Sequence, residues 1–271
     1  MSDVILVVLG RTESARGLLQ AAAEFRRLMT EARVSVLALE QPAHTSALEA
    51  EALVAEADAL VQQKPTERAR IAALERIYEQ WLVEIGAEGN DVRWARAQGN
   101  AATVVGERGS RSDLVVVGQP TERDSRGRQV FRAALFATDR PVLMVPGEWQ
   151  GHLGRCVAIA WRDDRPTARA VIPALRCLAS AEEVHVLAGT RHGLPPDVPR
   201  VLVEHGIRAR LHPLAIGSGP FGRALLSKAH ELGADLVVMG AYAHSPLRGL
   251  ILGGVTQYML DHADVPVLMR H

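Results

Sequence analysis

The chain has 271 residues, with 31 Lys plus Arg against 31 Asp plus Glu. Hydrophobic residues make up 48% and aromatics 4%, so the length suits two ordinary domains with cores of Ala, Val, Leu and Ile. The charge balance leaves no electrostatic footprint for nucleic acid or an anionic membrane. Val4 to Leu9 opens the chain as a buried-strand run. It is too short to span a membrane, no basic segment precedes it and no cleavage pattern follows at Gly10, which predicts a cytoplasmic protein.

An amphipathic helix is predicted from Ser14 to Thr30 and a second strand from Val34 to Leu39. The Ala/Glu/Leu-rich stretch from His44 to Ile85 predicts one long helix or two, with a break or kink at Pro65. Such a charged helix covers a sheet face and solvates its outer side, and it could also carry an interaction surface. Further strands are predicted near 91–96, 113–118 and 141–145. Pro146, Gly147, Gly151 and Gly154 then interrupt the periodicity and set a boundary between domains at 1–147 and 154–271.

The second half repeats the order. A strand run from Cys156 to Trp161 precedes a helix from Pro166 to Ala179 and a strand near 183–188. Pro195, Pro196 and Pro199 leave room for little more than a turn or two of helix before strands near 207–212, 235–240 and 265–269. Asp113-Leu-Val-Val-Val-Gly118 matches Asp235-Leu-Val-Val-Met-Gly240, and the repeat is one of whole domains. Alternating strands and helices predict an α/β fold of two tandem five-stranded, mostly parallel, doubly wound sheets. Cys156 and Cys177 lie in apolar periodic contexts and read as small buried hydrophobes, while the ten histidines lack metal-ligand spacing.

Ligands of open parallel sheets bind beyond the carboxyl ends of the strands, where strand order reverses. In the second half the loops there are Arg162-Asp163-Asp164-Arg165 and Gly240-Ala241-Tyr242-Ala243-His244-Ser245, with Gly253-Gly254-Val255-Thr256 opening the next helix. Glycines at a helix start let backbone amides approach an anion, and the helix end adds partial positive charge. The Thr256 hydroxyl is a further donor or a stabiliser of the helix start. The alternative reading of Gly253-Gly254 is a tight turn with close helix packing.

The order Asp-Leu-Val-Val-Met-Gly, a loop, Gly-Gly-Val-Thr, a helix, then Asp-Val-Pro-Val-Leu resembles the C-terminal signature of the universal stress proteins. The resemblance covers the chain as two copies and is strongest over 234–271. ATP-binding members of that family carry Gly, two residues, Gly, nine residues, Gly, then Ser or Thr. Gly240 and Gly253 match with the spacing intact, Ala243 replaces the second glycine, and Gly254 stands where the hydroxyl residue is expected. The resemblance implies an adenine nucleotide alpha hydrolase-like fold and weak binding of ATP or AMP in the second half. Asp163, or Asp164 in another register, and Gly240 would line the base and ribose, the alternative being that this acidic loop is solvated and caps the helix that follows at Arg165-Pro166, and the amides of Gly253, Gly254 and Val255 would hold the phosphates. It also implies pairing of the domains through their last strands, so that 140–145 and 265–269 would lie antiparallel at a pseudo-twofold axis, with higher homo-oligomers conceivable.

The first half departs further. No glycine pair follows Gly118, and Gly10-Arg11-Thr12-Glu13 lacks the acid that the family places close behind its first strand. No nucleotide is expected there, and Arg123, Arg126 and Arg128 read as a solvated basic loop. His244-Ser245 does not make a nucleophile and base, because adjacent side chains diverge, so no catalytic residue is assigned. Two rival readings are a non-nucleotide scaffold acting through the 44–85 helix and a nucleotide hydrolase.

Overall fold

The computed structural model describes residues 3–29, 32–40, 53–86, 91–147, 149–162, 165–190, 197–216, 219–241 and 254–271. The first half contains β1 (Val4–Leu9), α1 (Thr12–Arg27), β2 (Arg33–Glu40), α2 (Leu53–Ile85), β3 (Val92–Gln98), α3 (Ala101–Gly109), β4 (Leu114–Gly118), α4 (Ser125–Ala137) and β5 (Val142–Val145). The second contains β6 (Cys156–Trp161), α5 (Arg165–Ser180), β7 (Glu183–Thr190), α6 (Arg200–Glu204), β8 (Arg210–Ala215), α7 (Phe221–Glu231), β9 (Leu236–Gly240), α8 (Gly254–His262) and β10 (Val267–Arg270).

Among the described residues the two expected five-stranded sets join edge to edge through their last strands, giving one sheet of ten strands in the order β3-β2-β1-β4-β5-β10-β9-β6-β7-β8. Every neighbouring pair is parallel except β5 and β10, which are antiparallel through Val142↔Met269, Leu143↔Leu268 and Met144↔Val267. Read from either edge, the order is third, second, first, fourth and fifth strand of a half. Because the seam reverses direction, the carboxyl ends of the two sets of strands point to opposite ends of the sheet.

Side-chain alternation along each central strand separates two hydrophobic clusters. Ile5, Val7 and Leu9 face α1, α2, α5 and α6, while Leu6 and Val8 face α3, α4, α7 and α8. Both clusters run through the seam: Leu143 and Leu268 lie in one, Val142, Met144, Val267 and Met269 in the other.

Among the described residues the stretch around Pro65 is one helix, and α2 passes through this residue, while 44–52 lie outside the described residues. Its buried positions Ile71, Leu74, Tyr78 and Trp81 recur every three or four residues, so one face covers the sheet as a helix of this charge should. β8 begins at Arg210, three residues later than expected, because Gly206 with φ 68° ends the short helix and Ile207 still folds back onto it through a bond from its amide to Leu202 O. The glycine-containing stretch between the halves is packed as well: Trp149 and Leu153 are buried in the core shared with α1.

The repeated aspartates have a structural duty at the other end of the strands from the crevices. Asp113 Oδ2 accepts from Val4 N at 2.8 Å, closing the start of β1 onto β4. Asp235 does the same for β6 with three amides: Oδ1 accepts from Gly154 N at 2.8 Å and Cys156 N at 3.3 Å, and Oδ2 from Arg155 N at 3.0 Å. Burial raises the Asp235 carboxyl above its ordinary range, against the pull of those amides.

Candidate functional site

In each half the first strand has the second strand on one side and the fourth on the other, so the order reverses between β1 and β4 and between β6 and β9. The crevice beyond their carboxyl ends is where such sheets receive ligands. In the second half, β9 ends at the half-buried Gly240, and Ala241 N donates to Arg270 O at 2.9 Å, which holds the strand exit against β10. Since β10 is parallel to β9, the intervening α8 runs back across the sheet and begins on the crevice side.

That beginning is Gly254, exposed to solvent, with nothing within 4 Å of where a Cβ would stand. Val255 is half-buried, and Thr256 is buried on the face of α8 that also carries Met259 and Leu260. Gly240, Gly254, Val255 and Thr256 are thus placed at the crevice end of β9 and α8. Asp163, Asp164, Ala243 and Gly253 lie outside the described residues. The far end of α8 is anchored from the first half: Gln119 Nε2 donates to Leu260 O at 2.8 Å and to Ala263 O at 3.1 Å, satisfying carbonyls that the helix end leaves open.

The equivalent crevice of the first half has a different content. Arg70, from α2, donates through Nη1 to Gly10 O just beyond β1 and through Nη2 to Leu39 O near the end of β2, both at 2.7 Å. Glu67, one turn earlier, accepts from Arg70 Nη2 at 2.6 Å and Nε at 2.9 Å. The same carboxylate accepts from Arg126 Nη1, in the first turn of α4, at 3.0 and 3.1 Å. Glu67 and Arg70 side chains are only 16% and 17% exposed. Burial draws the Glu67 carboxyl up, but the hydrogen bonds and charges of Arg70 and Arg126 outweigh it and hold it below its ordinary range.

Of the three arginines expected in a solvated basic loop, Arg126 and Arg128 lie in the first turn of α4 and are hydrogen-bonded, while Arg123 is exposed. Arg126 binds Glu67, and Arg128 Nη1 donates to the carbonyls of Thr121 and Glu122. Sequence reasoning missed Glu67 and Arg70. Their spacing of three on a helix signals a local pair, but nothing in the chain order shows that α2 delivers that pair to the ends of β1 and β2. A separate cavity of about 370 Å³ opens between α4 and α8, lined in part by Phe131, Arg132, Phe136, Gln257 and Asp261. It contains none of the glycines at the crevice.

The architecture is that of an α/β protein with two topologically matched, doubly wound units merged into one sheet. Within it, residues 173–271 match the model of the Universal stress protein family. The match covers most of the second half and does not extend into the first. No curated protein matches the chain. Among solved structures, a universal stress protein from Archaeoglobus fulgidus DSM 4304 aligns at a TM-score of 0.65 and 16% identity, over 100% of this chain and 96% of that one. A Pseudomonas aeruginosa UCBPP-PA14 protein provisionally given the same family name aligns at 0.59 and 16%, over 100% and 93%. A functionally unknown protein from Pseudomonas aeruginosa PAO1 aligns at 0.57 and 17%, over 99% and 92%. At these identities the likeness is one of fold.

Proposed function

We propose that the protein is a cytoplasmic stress-response binding protein whose second half, residues 154–271, holds the phosphates of an adenine nucleotide, ATP or AMP, at the crevice between β6 and β9. The observation that carries this reading is the start of α8. An exposed glycine with no side chain and open space around it begins a helix at the reversal of strand order, within the segment that matches the family. The unpaired amides of a helix start and the positive end of the helix dipole favour a phosphate at such a place. The amides of Gly253, Gly254 and Val255 hold the phosphates, with Gly240 and Asp163 towards the ribose and base and Thr256 behind the helix start.

Affinity is modest. Gly254 supplies no hydroxyl where the family motif has one, and one lost hydrogen bond to a charged oxygen weakens binding by about 1.5–3 kcal/mol, roughly ten- to a hundredfold. The first half, residues 1–147, takes no nucleotide in this manner, because Arg70 and Glu67 stand in its crevice.

Calorimetric titration with ATP tests the reading. The wild type is expected to bind one ATP per chain. Gly254→Asp places a carboxylate at the mouth, in space that is open, and should weaken binding at least tenfold without lowering Tm. No binding at millimolar ATP, or equal binding by the variant, rejects the site.

A further inference from the structure

The first-half crevice contains a carboxylate gripped by two guanidinium groups, in the place where the second half is read to take phosphate. We propose that this crevice is an anion site with a built-in occupant: Glu67 of α2 is the resident ligand of Arg70 and Arg126, and a phosphate or pyrophosphate group is the external ligand whose place it takes.

Three observations carry the inference. The first is the number and direction of the bonds. Glu67 accepts from Arg70 Nε and Nη2 and from Arg126 Nη1 at 2.6–3.1 Å, a fork geometry suited to carboxylate and phosphate alike. The second is that Arg70 does not depend on Glu67 for its position. It is fixed independently by the carbonyls of Gly10 and Leu39, so its guanidinium stays at the strand ends when the carboxylate is removed. The third is location, at the side of the sheet where β1 ends and α4 begins, with Arg11 Nη1 a further 3.9 Å from the Asp124 carboxylate that caps α4.

An internal carboxylate tethered by a helix has a high effective concentration, so a free anion competes poorly with it. Released from Glu67, the two guanidinium groups have one negative charge fewer beside them. A dianion would meet two partially buried guanidinium groups there, of which Arg70 is already held by backbone carbonyls. In the native chain α2 is consequently the competitor of any phosphate-bearing solute for this half.

The test compares wild type, Glu67→Gln, Glu67→Ala and the double variant Glu67→Ala/Arg126→Ala, titrated calorimetrically with inorganic pyrophosphate at low salt. Glu67→Ala should gain one pyrophosphate per chain relative to wild type, at least tenfold tighter than any wild-type binding at the same stoichiometric step. Glu67→Gln keeps the side-chain volume and a hydrogen-bonding amide, and should gain a weaker site. The double variant should lose the gain. Any site at the α8 start contributes equally to all four proteins, so a step from zero to one and a step from one to two both support the proposal and separately report on the second half. Unchanged stoichiometry in folded Glu67→Ala or Glu67→Gln overturns it. So does a gain that survives removal of Arg126. Should both single variants unfold, Glu67 is a structural group, and the proposal is equally overturned.

Discussion

His185 and His212 form the most consequential titratable pair among the described residues. Their side chains lie on neighbouring strands β7 and β8, with Nδ1 of His185 3.0 Å from Nε2 of His212. His185 is buried. Burial lowers both pKa values; the Arg210 and Lys228 charges push the same way, each ring is near the other, and Glu183 and Glu231 oppose. In the unfolded chain both rings take up protons around pH 6.5, the ordinary histidine value. The folded state resists that uptake, so stability is full above about pH 6.5 and falls as pH drops towards the depressed folded values. Urea unfolding at pH 7.5 and 5.5 should show a smaller acid loss for His212→Gln than for wild type. An equal loss in the two proteins would mean that other groups govern the acid limb. None of this was legible in the chain, where the two histidines are 27 residues apart and separated by an unremarkable connection.

At the level of single elements, α8 is set by close contact as much as by the crevice. Gly222, on α7, is so near Tyr258 that an added Cβ would meet the Tyr258 Cβ at 2.6 Å and its ring at 2.8 Å. Tyr258 in turn stacks on His262 with ring centroids 4.2 Å apart. Gly222→Ala is expected to push α8 away from α7 and destabilise the fold by about 1–3 kcal/mol, read as a lower Tm. ATP affinity should fall with it, because the helix start moves. A variant of wild-type Tm would show that α7 and α8 move apart without cost.

Helix periodicity made α1, α5 and α8 readable to within about three residues, because amphipathic spacing is local. Pro65 does not break α2, for a physical reason. Proline weakens a helix by one hydrogen bond and a ring clash, yet α2 gains a buried face of Leu74, Tyr78 and Trp81 further along, and packing overrides the local preference. The glycines of the candidate site were visible because a motif with fixed spacing is itself local. The occupants of the first crevice were not, because Glu67 and Arg70 meet Gly10, Leu39 and Arg126 only after the sheet has formed.

Over the whole molecule, the seam decides whether the halves behave as one. It is short in hydrogen-bonded strand, but Leu143 and Leu268 are paired and fully buried, and both hydrophobic clusters continue across it. Asp139, at φ 52°, adds an exposed clasp: its carboxylate accepts from Arg169 Nη2 at 3.0 Å and from Arg270 Nη2 at 3.3 Å, both in the other half. Exposed pairs of this kind contribute little, so the apolar seam should dominate. Scanning calorimetry is expected to show one transition for wild type. Leu268→Asp buries an unpartnered carboxylate in the seam and should cost more than about 3 kcal/mol, with separate melting of the halves. Two resolved transitions in the wild type would contradict this coupling.

The reversal of strand direction at β5 and β10 also fixes which way the molecule faces. One mouth opens at the north pole of the sheet and the other at the south, so no single solute can span both, and what enters one is not in contact with what fills the other. Changes made at the two poles should therefore combine as independent factors. Within one polypeptide the two poles can differ in sequence, as Glu67 and Arg70 at one and Gly254 at the other do, whereas two identical chains related by a true twofold carry the same residues at both.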